Sequence, residues 1–213
     1  RKNFGKELAK ETDINADLIV PVPDSGNAAA IGYSQHTGKQ FELGLIRNHY
    51  VGRTFIEPTQ SIRSLGVKLK LSSTKTIVRN KSIILIDDSL VRGTTCLKIV
   101  KMLYESGAKE VHVRIACPEI KFPDFYGVDM PTKKELLAHN KDNKEMCEYI
   151  NAKSLKFLSL DGLYEALNKG KRNNTYPQFS DHYFTGDYPV KPSDNLGEEK
   201  IKQLSLLSGR SNN

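Results

Sequence analysis

Two adjacent aspartates follow the most apolar short segment of the sequence. Asp87 and Asp88 close the run Ser82-Ile-Ile-Leu-Ile, a pattern typical of a strand buried on both faces. In open α/β sheets, ligands bind beyond the carboxyl ends of the strands. Two carboxylates at such a strand end could hold the hydroxyls of a ribose and attract a divalent cation.

The residues after these aspartates suit a phosphate group. Residues 89–95 (Ser-Leu-Val-Arg-Gly-Thr-Thr) provide small hydroxyl side chains and one glycine where a helix is expected to begin. Backbone N–H groups at a helix N-terminus, with Ser and Thr hydroxyls, form a cradle for phosphate. The helix dipole adds about 0.3–1 kcal/mol for a negative group. The alternative is an acidic strand end followed by a capped helix, and the Asp-Asp pair alone would favour it.

Short apolar runs alternate with helical patterns along the chain. Strands are expected at residues 17–23, 41–45, 82–87, 111–116 and 155–158, and helices at residues 3–12, 27–36, 94–105, 133–139, 142–150 and 161–168. This alternation predicts an α/β fold with a mainly parallel sheet. Asn, Ser, Pro, Gly and Lys dominate from Gly170 onward. We therefore expect one domain over residues 1–169 and a C-terminal arm or tail over residues 170–213.

The positive charge is concentrated in one segment. The chain has a formal net charge of +7, and residues 39–81 hold nine Lys or Arg residues against Glu42 and Glu57, which accounts for the whole excess. An otherwise neutral chain with one basic segment favours a small anionic ligand over nucleic acid.

Several classes are excluded by simple features. No apolar run approaches the roughly 18 residues of a membrane span, and no signal peptide opens the chain, so we expect no membrane partner. The three cysteines, Cys96, Cys117 and Cys147, show neither metal-ligand spacing nor an even count, which favours a cytoplasmic protein. Walker and dinucleotide-binding fingerprints are also absent. The first residue is Arg1, which indicates a piece of a longer protein or a processed one.

Residues 87–95 (Asp-Asp-Ser-Leu-Val-Arg-Gly-Thr-Thr) resemble the signature of type I phosphoribosyltransferases, which use 5-phosphoribosyl 1-diphosphate. Residues 20–26 (Val-Pro-Val-Pro-Asp-Ser-Gly), 50–56, 118–132 and 184–189 resemble the glutamine phosphoribosylpyrophosphate amidotransferase family. The resemblance extends from about Asn3 to Pro189. It implies the type I phosphoribosyltransferase fold: a mainly parallel five-stranded sheet with flanking helices and a flexible loop over the site.

The resemblance also assigns the site residues. It places the diphosphate on the first loop, Pro21 to Gly26, with Asp24, Ser25 and Gly26 binding substrate; Mg2+ at Ser25, Asp87 and Asp88; and the 5-phosphate at Arg92, Gly93, Thr94 and Thr95. Ser89 is a further substrate-binding candidate. Without the resemblance, the residues of the first loop fit a diphosphate site and an ordinary helix cap at Asp24 or Ser25 equally well.

The basic segment resembles the family's flexible catalytic loop, which runs from Arg53 to Lys70. The candidates for neutralising a leaving diphosphate are Arg47, Arg53, Arg63, Lys68 and Lys70. The alternative is a solvated charged face. Residues 126–132 are expected to border the site, where the family binds inhibitory purine nucleotides, or to form a packed loop before a helix.

The reaction implied by the resemblance replaces the C1 diphosphate of the sugar with ammonia. The product is 5-phosphoribosylamine, and the reaction opens de novo purine (IMP) biosynthesis. A homo-oligomer is expected. The alternatives are a base-salvage phosphoribosyltransferase and a phosphoribosyl-diphosphate-binding regulator or inactive remnant.

Two further features of the family bear on this chain. Ammonia normally comes from an N-terminal glutaminase domain that begins with a catalytic cysteine; no such domain precedes Arg1, so we expect no glutaminase activity. Some relatives hold a [4Fe–4S] cluster on four cysteines. Two of those positions are Ser180 and Tyr183 here, so we expect no cluster.

Overall fold

The computed structural model describes residues 1–48, 71–127 and 132–190. The strands in these ranges are β1 (Leu18–Pro21), β2 (Gln40–Phe41), β3 (Leu45–Arg47), β4 (Leu71–Ser73), β5 (Ser82–Asp87), β6 (Glu110–Ile115) and β7 (Ser154–Phe157). The helices are α1 (Lys2–Thr12), α2 (Asn27–Thr37), α3 (Lys75–Val78), α4 (Thr94–Glu105), α5 (Leu137–Asn140), α6 (Asn143–Tyr149), α7 (Leu160–Ala166) and α8 (His182–Thr185), with a 3-10 turn at Lys133–Glu135. No helix in these ranges is long and apolar enough to cross a membrane.

Five of the strands form one parallel sheet in the order β2–β1–β5–β6–β7. This confirms the mainly parallel five-stranded sheet with flanking helices. In the pairing of β1 with β5, Pro21 lies beside Ile86. The two segments that carry the motifs therefore leave neighbouring strands at the same edge of the sheet.

The apolar run of β5 reflects burial on both faces. Ile83 and Leu85 pack on one face with Ile99 of α4, while Ile84 and Ile86 pack on the other face with helices α1 and α2. All four strand residues are completely buried. Because successive side chains of a strand point to opposite faces, a strand covered on both sides has no polar alternation. β5 is thus a rigid central support for Asp87.

Two predicted elements differ from the structure. The strand expected at residues 41–45 is split at Gly44, whose N–H donates to the Glu42 carbonyl over 2.9 Å. β3 then pairs with β4 instead of the main sheet, in an antiparallel pair that places Arg47 beside Leu71. The helix expected at residues 133–139 is interrupted because Leu136 is extended (φ −75°, ψ 115°) and fully buried.

Ion pairs fold the described part of the C-terminal arm, and a hydrogen bond joins it to the domain. Arg172 donates to Asp181 over 2.6 and 3.1 Å and to Asp187 over 2.7 Å. The Tyr164 hydroxyl donates to the same Asp181 carboxylate over 2.7 Å. The Tyr164 contact joins residues on both sides of residue 170. The domain boundary expected there stays a prediction.

Candidate active site

The first loop lies directly against the end of β5. The Val22 N–H donates to the Ile86 carbonyl over 2.8 Å, and the Ser25 hydroxyl donates to Asp87 Oδ1 over 2.9 Å. A Cβ added to Gly26 would lie only 2.2 Å from the Ile86 oxygen, so only glycine fits this approach. The diphosphate loop and the acidic strand end expected from the sequence thus form one surface.

The two aspartates are organised by hydrogen bonds from their neighbours. Asp87 Oδ1 also accepts from the Asp88 N–H over 2.8 Å, and Asp88 Oδ1 accepts from the Ser89 hydroxyl over 2.8 Å. Asp87 and Asp88 are both partly exposed residues at the sheet edge. Ser89, expected to contact substrate, orients Asp88 in this structure.

Burial raises the pKa of Asp87 to about 6. The Asp88 charge raises that pKa further, whereas the hydrogen bonds from Ser25 and the Asp88 N–H lower it. A desolvated carboxylate beside a second carboxylate is a group that a bound cation would stabilise. The donors here are carboxylate and hydroxyl oxygens, which Mg2+ prefers.

The donor set also limits how a metal would be held. Within the described ranges, no group of three or more His, Cys, Asp or Glu side chains is placed to bind a metal ion. Mg2+ usually keeps several waters and takes one or two carboxylates together with substrate phosphates. Ser25, Asp87 and Asp88 therefore fit a Mg2+ ion that is shared with a substrate.

Replacing Asp87 with asparagine is expected to stabilise the fold by about 1–2 kcal/mol near neutral pH. The folded-state pKa lies above the value of about 3.9 for an unfolded aspartate. The folded state therefore binds the proton more tightly, and this group costs stability as the pH rises from about 4 to about 6. Urea unfolding across this pH range measures the gain, which should vanish below about pH 4. If Asp87→Asn is less stable than the parent at neutral pH, the raised pKa of Asp87 is contradicted.

The loop that follows β5 ends at the N-terminus of α4. Gly93 adopts a left-handed conformation (φ +74°) immediately before the helix, and its carbonyl accepts from the Leu97 N–H over 2.9 Å. Thr94 and Thr95 occupy the first turn and are exposed. This twelve-residue helix has no side-chain cap at its start, so its first N–H groups and the two threonine hydroxyls are suited to a phosphate. That a phosphate binds there stays a prediction.

Arg47 lies at the end of β3, where it contacts the first loop. Its Nη1 atom donates to Asp24 Oδ2 over 3.0 Å, and both side chains are well exposed. Arg53, Arg63, Lys68 and Lys70 lie outside the described residues, so their part in the site stays a prediction. Of the site-bordering segment 126–132, residues 128–131 are also outside the described residues.

Two residues next to the site, Glu135 and Cys117, carry no signal in the sequence that would place them there. Arg92 Nε donates to Glu135 Oε1 over 3.1 Å, although 43 residues separate the two in the chain. Cys117 lies near the aspartates; burial raises its pKa to about 12, and the charges of Asp88 and Asp87 add to the shift. Such a thiol stays protonated and is not a nucleophile.

Comparison with known proteins finds similar chains that share one name, amidophosphoribosyltransferase. An amidophosphoribosyltransferase from Rhizobium etli is 56% identical over 209 residues, which cover 98% of this chain and 42% of that protein. A Staphylococcus aureus (strain Mu50) amidophosphoribosyltransferase is 51% identical over 190 residues, covering 89% of this chain and 38% of that protein. The chain therefore spans less than half the length of these relatives. No protein-family model matches the sequence.

Two solved structures have the same fold. A glutamine phosphoribosylpyrophosphate amidotransferase from B. subtilis, complexed with ADP and GMP, superposes with a TM-score of 0.81 at 46% identity; the match covers 91% of this chain and 42% of that one. A structure described as the allosteric regulatory enzyme of purine biosynthesis gives a TM-score of 0.78 at 44% identity, covering 94% of this chain and 43% of that one.

The parallel sheet, with residues 87–95 at its carboxyl edge, defines a type I phosphoribosyltransferase fold. The identities and the superpositions narrow this class further. In sequence and in fold, the chain corresponds to the C-terminal phosphoribosyltransferase part of the amidophosphoribosyltransferases. The family resemblance of the motifs is thereby confirmed.

Proposed function

We propose that this chain transfers ammonia to C1 of 5-phosphoribosyl 1-diphosphate, which releases diphosphate and gives 5-phosphoribosylamine in the first step of de novo purine biosynthesis. The observation that carries the proposal is the junction of the two loops, where Ser25 donates to Asp87 over 2.9 Å. This contact joins a surface for a diphosphate to a pair of carboxylates for a ribose. The amidophosphoribosyltransferases at more than 50% identity support the choice of reaction.

In this proposal each part of the substrate has its own protein surface. The 5-phosphate lies on the N-terminus of α4, at Thr94 and Thr95, and Asp87 and Asp88 accept hydrogen bonds from the ribose hydroxyls. The diphosphate lies on the first loop, Pro21 to Gly26. Since the two loops leave neighbouring strands at the same edge of the sheet, one substrate molecule can contact both.

The chemical step separates charge. Breaking the bond between C1 and the diphosphate oxygen places positive charge on the ribose ring and negative charge on the leaving diphosphate. The carboxylates of Asp87 and Asp88 stabilise the ring, while Arg47 stabilises the diphosphate. Preorganised charges of this kind contribute to catalysis because they need no reorganisation during the reaction.

A Mg2+ ion held by Ser25, Asp87 and Asp88 would supply further positive charge for the leaving diphosphate. Arg53, Arg63, Lys68 and Lys70 are the residues proposed to add cationic groups from the segment that joins β3 to β4. Closure of that segment over the substrate would exclude water, which would otherwise compete with ammonia as the nucleophile.

The partners proposed for the whole enzyme follow from its relatives. The B. subtilis relative was solved with ADP and GMP, so purine nucleotides are the proposed inhibitors of this chain. A glutaminase part is the proposed source of ammonia, and a homo-oligomer is the proposed assembly.

One assay separates this function from its alternatives. Diphosphate release from 5-phosphoribosyl 1-diphosphate is measured with Mg2+ and with ammonia, purine bases, pyrimidine bases or no acceptor. Release that depends on ammonia supports the proposal. Release that depends on a base would indicate a salvage enzyme, and tight binding without release would indicate a regulator or an inactive remnant.

A further inference from the structure

The segment that contains Glu135 lies against the loop that leads into α4. Besides the contact between Glu135 and Arg92, the Leu137 N–H donates to the Val91 carbonyl over 2.9 Å. A Cβ added to Gly93 would lie 2.7 Å from Leu137 Cδ2, so the leucine side chain covers the glycine. Three consecutive residues of the phosphate loop are thus contacted by one short segment.

The backbone that carries Glu135 is well anchored. The residue ends the 3-10 turn Lys133–Glu135, and its N–H donates to the Thr132 carbonyl over 2.9 Å. The next residue, Leu136, is completely buried. The Glu135 carboxylate is therefore a half-exposed group on a fixed base, which can orient the side chain that it contacts.

The contact uses only one part of the Arg92 guanidinium. Glu135 accepts from Nε, which leaves the two Nη groups with their four N–H donors for other partners. Arginine recognises phosphate through parallel N–H donors of this planar fork, so the orientation of the plane decides how many bonds it makes.

We infer that Glu135 is a positioning residue for the 5-phosphate: it holds Arg92 by Nε, so that the Nη groups face the phosphate at the N-terminus of α4. The inference rests on the proposed function, because the phosphate is that of 5-phosphoribosyl 1-diphosphate. Glu135 acts through Arg92 and does not touch the substrate.

The direction in which phosphate binding changes when Glu135 is replaced distinguishes positioning from simple electrostatics. A carboxylate near a phosphate repels it, so by Coulomb's law alone, loss of the Glu135 charge would tighten phosphate binding. If Glu135 orients Arg92, loss of its side chain weakens binding. A glutamine at this position removes the charge but keeps an oxygen that accepts from Nε.

The test compares Glu135→Ala and Glu135→Gln by calorimetric binding of 5-phosphoribosyl 1-diphosphate with Mg2+. We expect alanine to raise the Kd about five-fold, the order of a well-placed exposed ion pair, and glutamine to leave it within about two-fold of the parent. KM should rise in parallel while kcat stays unchanged, because the phosphate contact is the same in the ground and transition states. Glu110→Ala is the matched control, since Glu110 pairs with Lys153 at the opposite edge of the sheet.

Two comparisons complete the test. In an Arg92→Ala background, Glu135→Ala should cause no further loss; an equal loss in both backgrounds would overturn the inference. Unchanged or tighter binding by Glu135→Ala would also overturn it.

Ribose 5-phosphate, which lacks the diphosphate, serves as a second probe. If the parent protein binds ribose 5-phosphate but not 5-phosphoribosyl 1-diphosphate, the proposed function fails. The Kd of ribose 5-phosphate for the parent and the Glu135 variants then still decides the role of Glu135. If the parent binds neither compound, both proposals fail.

Discussion

Replacing Asp88 with asparagine is expected to lower kcat/KM for 5-phosphoribosyl 1-diphosphate at least about 100-fold. In the proposed complex the Asp88 carboxylate accepts hydrogen bonds from ribose hydroxyls and faces the positive charge that develops on the ring. Two charge-assisted hydrogen bonds contribute about 3–6 kcal/mol together, and the amide keeps neither the charge nor both acceptor oxygens. Steady-state kinetics of diphosphate release, with calorimetric binding, measure the loss.

A carboxylate at the other end of the same strand provides the control. Asp17 Oδ2 accepts from the Ser82 N–H over 2.7 Å, where β5 begins. Asp17→Asn should leave kcat/KM within about two-fold of the parent, because this end of the strand is remote from the carboxyl edge. Unchanged substrate binding by Asp88→Asn would remove the ribose assignment.

Replacing Gly26 with alanine is expected to disrupt both the fold around the first loop and the site. The added Cβ would lie 2.2 Å from the Ile86 oxygen and 3.1 Å from Val22 N, and these two atoms are hydrogen-bonded to each other. Because the obstruction is backbone, the loop must move away from β5. We expect a loss of about 2–4 kcal/mol in the free energy of unfolding, as for overpacked interiors.

The same movement should separate Ser25 from Asp87 and weaken substrate binding about 100-fold, since misplaced groups lose most of their catalytic benefit. Chemical unfolding and calorimetric binding measure the two effects. Gly38→Ala is the control at the other end of α2: Gly38 has φ +71° with open space around it, so alanine costs only about 1 kcal/mol and should leave the site unchanged. Wild-type binding by Gly26→Ala would contradict the role of the close approach.

Much of the site was predictable because its parts are continuous in the chain. Residues 87–95 combine a strand end, a glycine and the first turn of a helix, and the structure contains each of these in the expected place. The apolar run of β5 predicted a strand covered on both faces, since burial alone removes polar alternation. The split at Gly44 was not predictable, because whether residues 41–45 continue one strand depends on the partner that Leu45 finds in β4.

The sequence by itself therefore determined the α/β class, the central strand, and the residue types at the acidic strand end and at the start of α4. Only the tertiary structure decided which of these pieces meet. The contact between Ser25 and Asp87 spans 62 residues, and that between Arg92 and Glu135 spans 43. The physical reason is that local periodicity reports burial and turn geometry, whereas contacts between distant residues depend on strand order and on the packing of segments against one another.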